Sequence, residues 1–167
     1  YYLATEDNGI YLAAIVNDSI NISRISDNDL FNRSRIQSLM TDNAGTLWIS
    51  TFGNGIIKTV TDRETSMVDS YEVLAVPSGL KGNDIRTSYQ DSWGNIWIGL
   101  FGDGVSVLSS DAYKFYTPGQ GKNENNIIYV GEYNNLAFAG TGSGFYTFDA
   151  DEGEVINYTD LSSVVSS

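Results

Sequence analysis

The sequence predicts an all-β fold, a partial β-propeller built from four-stranded antiparallel blades. One phrase, D-x-x-G-x-[LI]-W-I-x-x-F-G-x-G, is written in full over residues 42–55 and again over residues 91–104. Fainter copies end at Gly9 and Gly144. The last glycines of the four copies lie 46, 49 and 40 residues apart. A period of about 40–50 residues is the spacing of a repeat architecture such as a propeller.

Each period contains about four short segments with the composition of β-strands. In the second full copy these segments are residues 85–90, 96–98, 105–108 and 113–116. β-Branched and aromatic residues fill the segments, and Gly and Asp stand between them, which is typical of an antiparallel sheet with tight turns. We find no stretch with the 3.6-residue period of a helix. The pattern therefore predicts one four-stranded blade for each period.

The residues shared by the two full copies have structural roles in this prediction. Glycine reaches the positive φ of hairpin turns without steric cost, and aspartate holds such turns by side-chain to backbone hydrogen bonds. A mid-strand tryptophan fills the space between neighbouring sheets. These residues are Asp42, Gly45, Trp48 and Gly55 in one copy and Asp91, Gly94, Trp97 and Gly104 in the other. The weaker copies place Tyr2 and Ala137 at the tryptophan position, so we expect their blades to pack less fully.

The repeated phrase resembles the two-component regulator propeller repeat. The fourth copy departs from it, because Glu132-Tyr133-Asn134-Asn135 replaces D-x-x-G with a shorter Asn-Asn turn. The resemblance implies a periplasmic sensor domain of a membrane-anchored hybrid two-component protein, homodimeric in the parent, that responds to an oligosaccharide or similar nutrient. It also implies that any histidine kinase belongs to the parent protein, so we expect no enzyme activity from this chain.

The strand count predicts about three and three-quarter blades. The expected blades are 1–26 (lacking its innermost strand), 35–76, 84–118 and 126–158, and residues 161–165 begin a further strand. That last strand could complete the first blade and close a ring of four. Otherwise the chain is about half of a larger ring, which is the alternative we favour. An apolar blade face at each end would then be covered by the rest of the propeller or by a second copy.

The amino-acid composition argues against several classes of partner and kinds of site. A net charge of −12 argues against nucleic acid or an anionic membrane as a partner, since both need clustered Lys and Arg. The sequence has no long apolar run and no leader-like start, so we expect the anchor and export signal elsewhere in the parent. Without Cys or His, disulfides, thiolate or imidazole metal sites and the usual general base are excluded, and we expect no cofactor. Residues 149–153 superficially resemble a calcium loop but fit a hairpin turn better.

Strand order predicts where a ligand would bind. With the strands of a blade named a to d, the b–c turns and d–a connections emerge on one rim, which gathers Asn, Asp and Arg beside two Phe rings. Planar polar groups next to an aromatic face suit carbohydrate recognition. The candidate residues are Asn54, Asp103, Arg35, Asn83, Arg86, Phe52 and Phe101. The alternative is structural: the two Phe recur at one repeat position, as packing residues do, and Asn and Asp are common in turns.

Three functions remain open from the sequence. The first is a sensor module that detects an oligosaccharide, and the second is a protein-interaction propeller without a small-molecule ligand. The third is a glycan-active enzyme, in which two carboxylates of the same rim, Asp7 and Asp103, would serve as the acid and the base or nucleophile. The sequence favours the sensor, because the repeat carries that resemblance and no catalytic constellation accompanies it.

Overall fold

A computed structural model describes residues 1–5, 8–62, 64–109, 112–148 and 155–158. The chain divides into two compact units, unit 1 over Tyr1–Ile85 and unit 2 over Arg86–Ser167. The described residues form four antiparallel sheets, and consecutive strands pair within each sheet. The predicted further strand at 161–165 and the loop at 149–153 lie outside the described residues.

Unit 1 contains the first two sheets. Blade 1 has three strands in the order β1-β2-β3. Blade 2 has four in the order β4-β5-β6-β7. The strands are β1 Tyr2–Ala4, β2 Ile10–Val16, β3 Ser19–Arg24, β4 Arg35–Thr41, β5 Leu47–Phe52, β6 Ile56–Thr61 and β7 Val68–Leu74. A short helix, α1 (Asp29–Arg33), and a 3-10 turn (Val76–Ser78) accompany them.

Unit 2 contains blades 3 and 4, each with four strands in a meander. Blade 3 begins at the boundary residue Ile85, and its strands confirm the four predicted for the second full copy. The strands are β8 Ile85–Gln90, β9 Ile96–Leu100, β10 Val105–Ser109, β11 Ala112–Tyr116, β12 Ile127–Tyr133, β13 Leu136–Thr141, β14 Phe145–Phe148 and β15 Val155–Tyr158.

Each unit buries an apolar layer between its two blades. In unit 1, β1 contacts β4, and in unit 2, β9 contacts β12. The core of unit 1 consists of Ile10, Ile25, Phe31, Leu47, Ile49 and Ile57. The core of unit 2 consists of Trp97, Val105, Val107, Tyr116, Ile127, Val130, Ala137, Ala139, Tyr146 and Phe148. Burial of a large apolar side chain stabilises the fold by about 1.5–3 kcal/mol, so face-to-face packing of sheets holds each blade pair together.

The second strand of each full repeat is the most deeply buried. Every residue of β9 is buried, and in β5 only the terminal Phe52 is partly accessible. Strands covered on both faces read as continuous apolar runs rather than as alternating ones, which explains the L-W-I and I-W-I sequences. The outermost strands β3 and β7 are mostly exposed.

The helix α1 is a local departure from the predicted all-β pattern. Asn28 caps it by accepting a hydrogen bond from the backbone N–H of Leu30 at 2.9 Å, and Phe31 is buried in the core of unit 1. A helix of five residues is too short to produce a helical period, so the sequence shows this segment only as a connection.

The tryptophan position of blade 4 is held by Phe138 and not by Ala137, so that expectation was wrong. In blades 1 and 2 a threonine hydroxyl donates to the carbonyl of a glycine four residues later, Thr5 to Gly9 and Thr51 to Gly55. The same bond in blade 4 runs from Thr141 to Gly144, only three residues. Counting back from the threonine instead of the glycine shifts the alignment by one residue. Tyr2, Trp48 and Phe138 then share the position.

The Asn-Asn turn predicted for blade 4 is present. Asn134 and Asn135 have φ of 49° and 63°, and β12 and β13 pair on either side of them. Two consecutive positive φ values define the type I′ hairpin, and Asn tolerates them better than other side chains. The turn replaces the longer aspartate turn of the full copies.

Candidate functional site

The aspartate of the D-x-x-G turn binds both the turn and the tryptophan. Oδ1 of Asp42 accepts from the backbone N–H groups of Ala44 at 3.0 Å and Thr46 at 2.8 Å. Oδ2 accepts from the indole Nε1–H of Trp48 at 2.8 Å. A single carboxylate therefore fixes the a–b hairpin and the rotamer of the ring that fills the blade.

The second copy repeats this arrangement with an additional bond. Asp91 accepts from the N–H of Trp93 at 3.0 Å and of Asn95 at 2.8 Å, and from Nε1–H of Trp97 at 2.8 Å. The side-chain Nδ2–H of Asn95 also donates to Asp91 at 2.8 Å. The aspartate–indole bond was not expected from the sequence. Its signal was the constant six-residue spacing from Asp to Trp in both copies.

Asn83 forms hydrogen bonds on the rim that support the fold. Its backbone carbonyl accepts from Gly55 N–H at 2.9 Å, and its Oδ1 accepts from Val76 N–H at 2.9 Å. Asn83 therefore ties the exit of β7 to the b–c turn of blade 2. The side-chain oxygen thus already serves the backbone, and the role of Asn83 as a ligand residue stays a prediction.

Asn125 plays the same part in unit 2 and was missed by sequence reasoning. Its carbonyl accepts from Gly104 N–H at 2.9 Å, its Oδ1 accepts from Gly119 N–H at 3.0 Å, and its Nδ2–H donates to the Gly119 carbonyl at 2.9 Å. The available signal was the recurrence of Asn-[Asp/Asn]-Ile at 83–85 and 125–127. We call Asn83 and Asn125 the asparagine locks.

Two arginine–phenylalanine stacks lie beside the b–c turns. The guanidinium carbon of Arg35 lies 5.0 Å from the ring centre of Phe52 in unit 1. That of Arg86 lies 4.8 Å from the ring centre of Phe101 in unit 2. Both distances are in the range of cation–π attraction. The stacks orient each guanidinium at the end of its blade where the turn emerges.

The two phenylalanines also take part in backbone bridges. Phe52 bridges to Asp84, and Phe101 bridges to Asn126, each in the connection that leads to the following blade. Phe101 is nevertheless 42% exposed. The phenylalanine position thus combines a structural bridge with an accessible ring in unit 2.

The remaining predicted residues are exposed at the turns. Asn54 lies at the tip of the b–c turn of blade 2, and its Nδ2–H donates to the Ser34 hydroxyl at 3.1 Å. Asp103 lies at the corresponding tip in blade 3. The structure thus groups Arg35, Phe52, Asn54 and Asn83 in unit 1, and Arg86, Phe101 and Asp103 in unit 2.

The shifted pKa values belong to groups away from these turns. Burial raises the pKa of the Tyr89 hydroxyl, and the charge of Glu132 adds to the shift. Hydrogen bonds from Thr65 and Glu64 lower the pKa of Asp62. Within the described part of the chain, no three His, Cys, Asp or Glu residues cluster in a way that could hold a metal ion. Asp7, one of the two carboxylates considered for glycosidase chemistry, lies outside that part.

Comparison with known proteins identifies the repeat. The family model described as two component regulator propeller matches residues 29–53 and 79–102. These ranges contain the first strands of the two full copies and most of their shared phrase. No curated protein matches the chain. The two matches confirm the resemblance of the repeated phrase to this family.

Solved structures confirm the fold. The extracellular domain of a putative hybrid two component system from B. thetaiotaomicron has 21% sequence identity and a TM-score of 0.70, covering 93% of this chain and 21% of that one. A second such domain from the same organism has 20% identity and a TM-score of 0.71, covering 96% of this chain and 23% of that one. A streptogramin B lyase has 13% identity and a TM-score of 0.64, covering 94% of this chain and 53% of that one.

At these identities the likeness shows the fold alone. It confirms the predicted fold class, an all-β partial propeller of antiparallel blades. The chain spans less than a quarter of the length of the two-component domains that it matches. In the described residues, no helix is long and apolar enough to cross a membrane.

Proposed function

This chain carries two-component regulator propeller repeats, and we propose on that basis that it is a segment of the periplasmic sensor propeller of a hybrid two-component protein. The observation that carries the proposal is the pair of full repeats. Both match the family model, and both show the same aspartate–indole geometry. The similar structures, which are extracellular domains of putative hybrid two component systems, support it.

The ligand that we propose for the sensor is an oligosaccharide or a similar nutrient. In each unit the b–c rim presents a guanidinium stacked on a ring and an exposed polar side chain at the turn tip, Asn54 in unit 1 and Asp103 in unit 2. Guanidinium and carboxylate groups form hydrogen bonds with hydroxyls, and a ring edge offers apolar contact. Asn83 belongs to the same rim, where its side chain also accepts from the N–H of Val76.

Transmission of the signal would depend on differential binding. A ligand shifts a population only by binding one arrangement of the paired sensors more tightly than the other. We place the homodimer, the membrane anchor and any histidine kinase in the parent protein. The chain itself has no catalytic role in this proposal.

The uncovered faces of the end blades support the proposal of further blades as partners. The face of blade 1 opposite the core of unit 1 carries exposed apolar residues: Leu3, Ile15, Ile20 and Ile22. The face of blade 4 opposite the core of unit 2 carries a second set: Tyr129, Tyr133, Leu136 and Ile156. Apolar patches of this kind mark contact surfaces. The rest of a larger propeller is the occupant we favour, and a second copy is the alternative.

Calorimetric titration of the chain with a panel of hexasaccharides tests the sensor proposal. We expect saturable binding of at least one sugar, weakened about tenfold, or about 1.4 kcal/mol, by Arg86→Ala or Asp103→Ala. Asp69→Ala is the matched control, because Asp69 is an exposed carboxylate on the outer strand β7. Equal weakening by the control, or no binding at all, would contradict the ligand proposal. A protein-interaction propeller would then be the remaining alternative.

A further inference from the structure

One of the three tryptophans is exposed. Trp48 and Trp97 are only 3% and 2% exposed, whereas Trp93 is 62% exposed. It lies in the a–b turn of blade 3, at the end of the hairpin opposite the b–c rim. An exposed indole on a tight turn offers a flat apolar surface for contact with a ligand.

The turn does not need the indole. Its counterpart in blade 2 is Ala44, whose N–H donates to Asp42 at 3.0 Å, the same distance as from Trp93 to Asp91. The closing bonds also agree, because Gly45 and Gly94 donate to the carbonyls of the two aspartates at 2.9 Å and 3.0 Å. Alanine and tryptophan therefore support the same turn. The ring of Trp93 is not explained by local folding.

The turn that carries the ring is held from two sides. Asp91 fixes it from within, and Glu132 of blade 4 fixes it from outside. The backbone N–H and the hydroxyl of Ser92 donate to the two oxygens of Glu132 at 2.8 Å and 2.6 Å. A rigid platform loses little conformational entropy when a ligand binds, which favours affinity.

The turn that carries the ring is polar and has no positively charged residue. Residues 91–95 read Asp-Ser-Trp-Gly-Asn, and Glu132 adds a carboxylate beside Ser92. A protein hot spot is usually surrounded by further contacts that exclude water, and residues 91–95 supply no second apolar side chain for that purpose. A sugar matches it better, because a pyranose has an apolar C–H face for the ring and hydroxyls that can donate to the Glu132 carboxylate. The carboxylates disfavour an anionic sugar.

We propose that Trp93 is a stacking platform for a pyranose ring of a neutral oligosaccharide, with Ser92 and Glu132 as adjacent hydrogen-bonding groups. This inference rests on the proposed ligand class of the sensor and adds a contact at the end of blade 3 opposite Asp103. It names Trp93, which the repeat pattern does not assign.

Fluorescence quenching provides a selective test. Since Trp48 and Trp97 are buried, iodide quenches chiefly Trp93. The probes are cellohexaose, xylohexaose, mannohexaose and maltohexaose as neutral sugars, and hexagalacturonate as an anionic one. We expect at least one neutral hexaose to protect Trp93 from iodide saturably and hexagalacturonate not to do so. Trp93→Ala should weaken calorimetric binding of that hexaose at least tenfold, whereas Trp93→Phe should weaken it only a few-fold.

The controls separate this inference from the rim proposal. Trp93→Ala recreates the turn of Ala44, so its melting temperature should equal that of the unchanged protein. At a saturating concentration of sugar, Asp103→Ala should leave the iodide protection intact if the sugar contacts Trp93. Loss of binding in Asp103→Ala with full binding in Trp93→Ala would overturn the platform and leave the rim proposal standing.

Other outcomes also overturn the platform. Protection by hexagalacturonate alone would exclude a neutral ligand. Protection that rises with protein concentration in the absence of sugar would show that a second copy covers the ring. If no hexaose protects the ring, the platform is wrong, and the rim proposal is then judged by calorimetry alone.

Discussion

The full copies of the repeat and the copy in blade 4 close their a–b hairpins by different means. In blades 2 and 3 an aspartate gathers two backbone N–H groups and an indole N–H, so the turn and the blade filling depend on one carboxylate. In blade 4 two asparagines at positive φ form a two-residue turn, and a phenylalanine without a polar hydrogen replaces the indole. The aspartate and the tryptophan therefore form one unit, and blade 4 has lost both members together.

The largest effect should come from removal of that carboxylate. Asp91→Ala leaves the indole N–H of the buried Trp97 and the N–H groups of the turn without their acceptor, which we expect to cost about 4 kcal/mol of unfolding free energy. Asp42→Ala should cost about 2–3 kcal/mol, since Asp42 is less buried and lacks the bond from an asparagine side chain. Denaturant titration of both variants gives the comparison. A loss below about 1 kcal/mol in Asp91→Ala would show that the indole does not depend on it.

A tryptophan scan of β13 tests the shifted alignment. Phe138→Trp restores the residue of the full copies on the face that already holds Tyr129 and Phe145, so we expect a change of less than about 1 kcal/mol. Ala137→Trp forces an indole into the packed core of unit 2 and should cost about 3 kcal/mol. Thermal unfolding distinguishes the two. A larger loss for Phe138→Trp than for Ala137→Trp would support the alignment counted from the glycine, which places Ala137 at the tryptophan position.

A pair of glycine substitutions on blade 3 should give the smallest difference between two paired variants. Gly104 has a φ of 78°, and a Cβ there would meet the carbonyl oxygen of Tyr116, so Gly104→Ala should cost about 2 kcal/mol or more. Gly94 also has a positive φ, 88°, but its nearest neighbour is the Gln90 side chain at 3.9 Å. Gly94→Ala should therefore cost only about 1 kcal/mol. Equal losses of unfolding free energy in denaturant titration would mean that the positive φ alone, and not the space around the new Cβ, sets the cost.

The sequence predicted the features that repeat with a fixed period. The four strands of blade 3, the glycine turns and the Asn-Asn turn follow from local residue preferences, which do not depend on distant contacts. The indole bond to Asp91 was missed because residue spacing alone does not show where a rotamer points. Phe138 was misaligned because a turn shorter by one residue moves the register of the strand before it.

The site was less predictable than the fold. The seven rim residues were predicted from the order of the strands. In the structure, Asn83 also accepts a backbone hydrogen bond, and Phe52 and Phe101 also form backbone bridges. Asn125 was missed because its lock depends on the main chain of residues 119–121. Trp93 was passed over because a varying position within a repeat carries no signal when only the constant ones are compared.

The asparagine locks have a consequence for how the protein opens. In unit 2 the backbone N–H of Gly104 donates to the carbonyl of Asn125, which precedes the first strand of blade 4. That amide can exchange with deuterium only when its hydrogen bond to the Asn125 carbonyl opens. Neighbouring blades should therefore open together rather than as single sheets. The slowest-exchanging amide protons should include that of Gly104, although it lies in a turn.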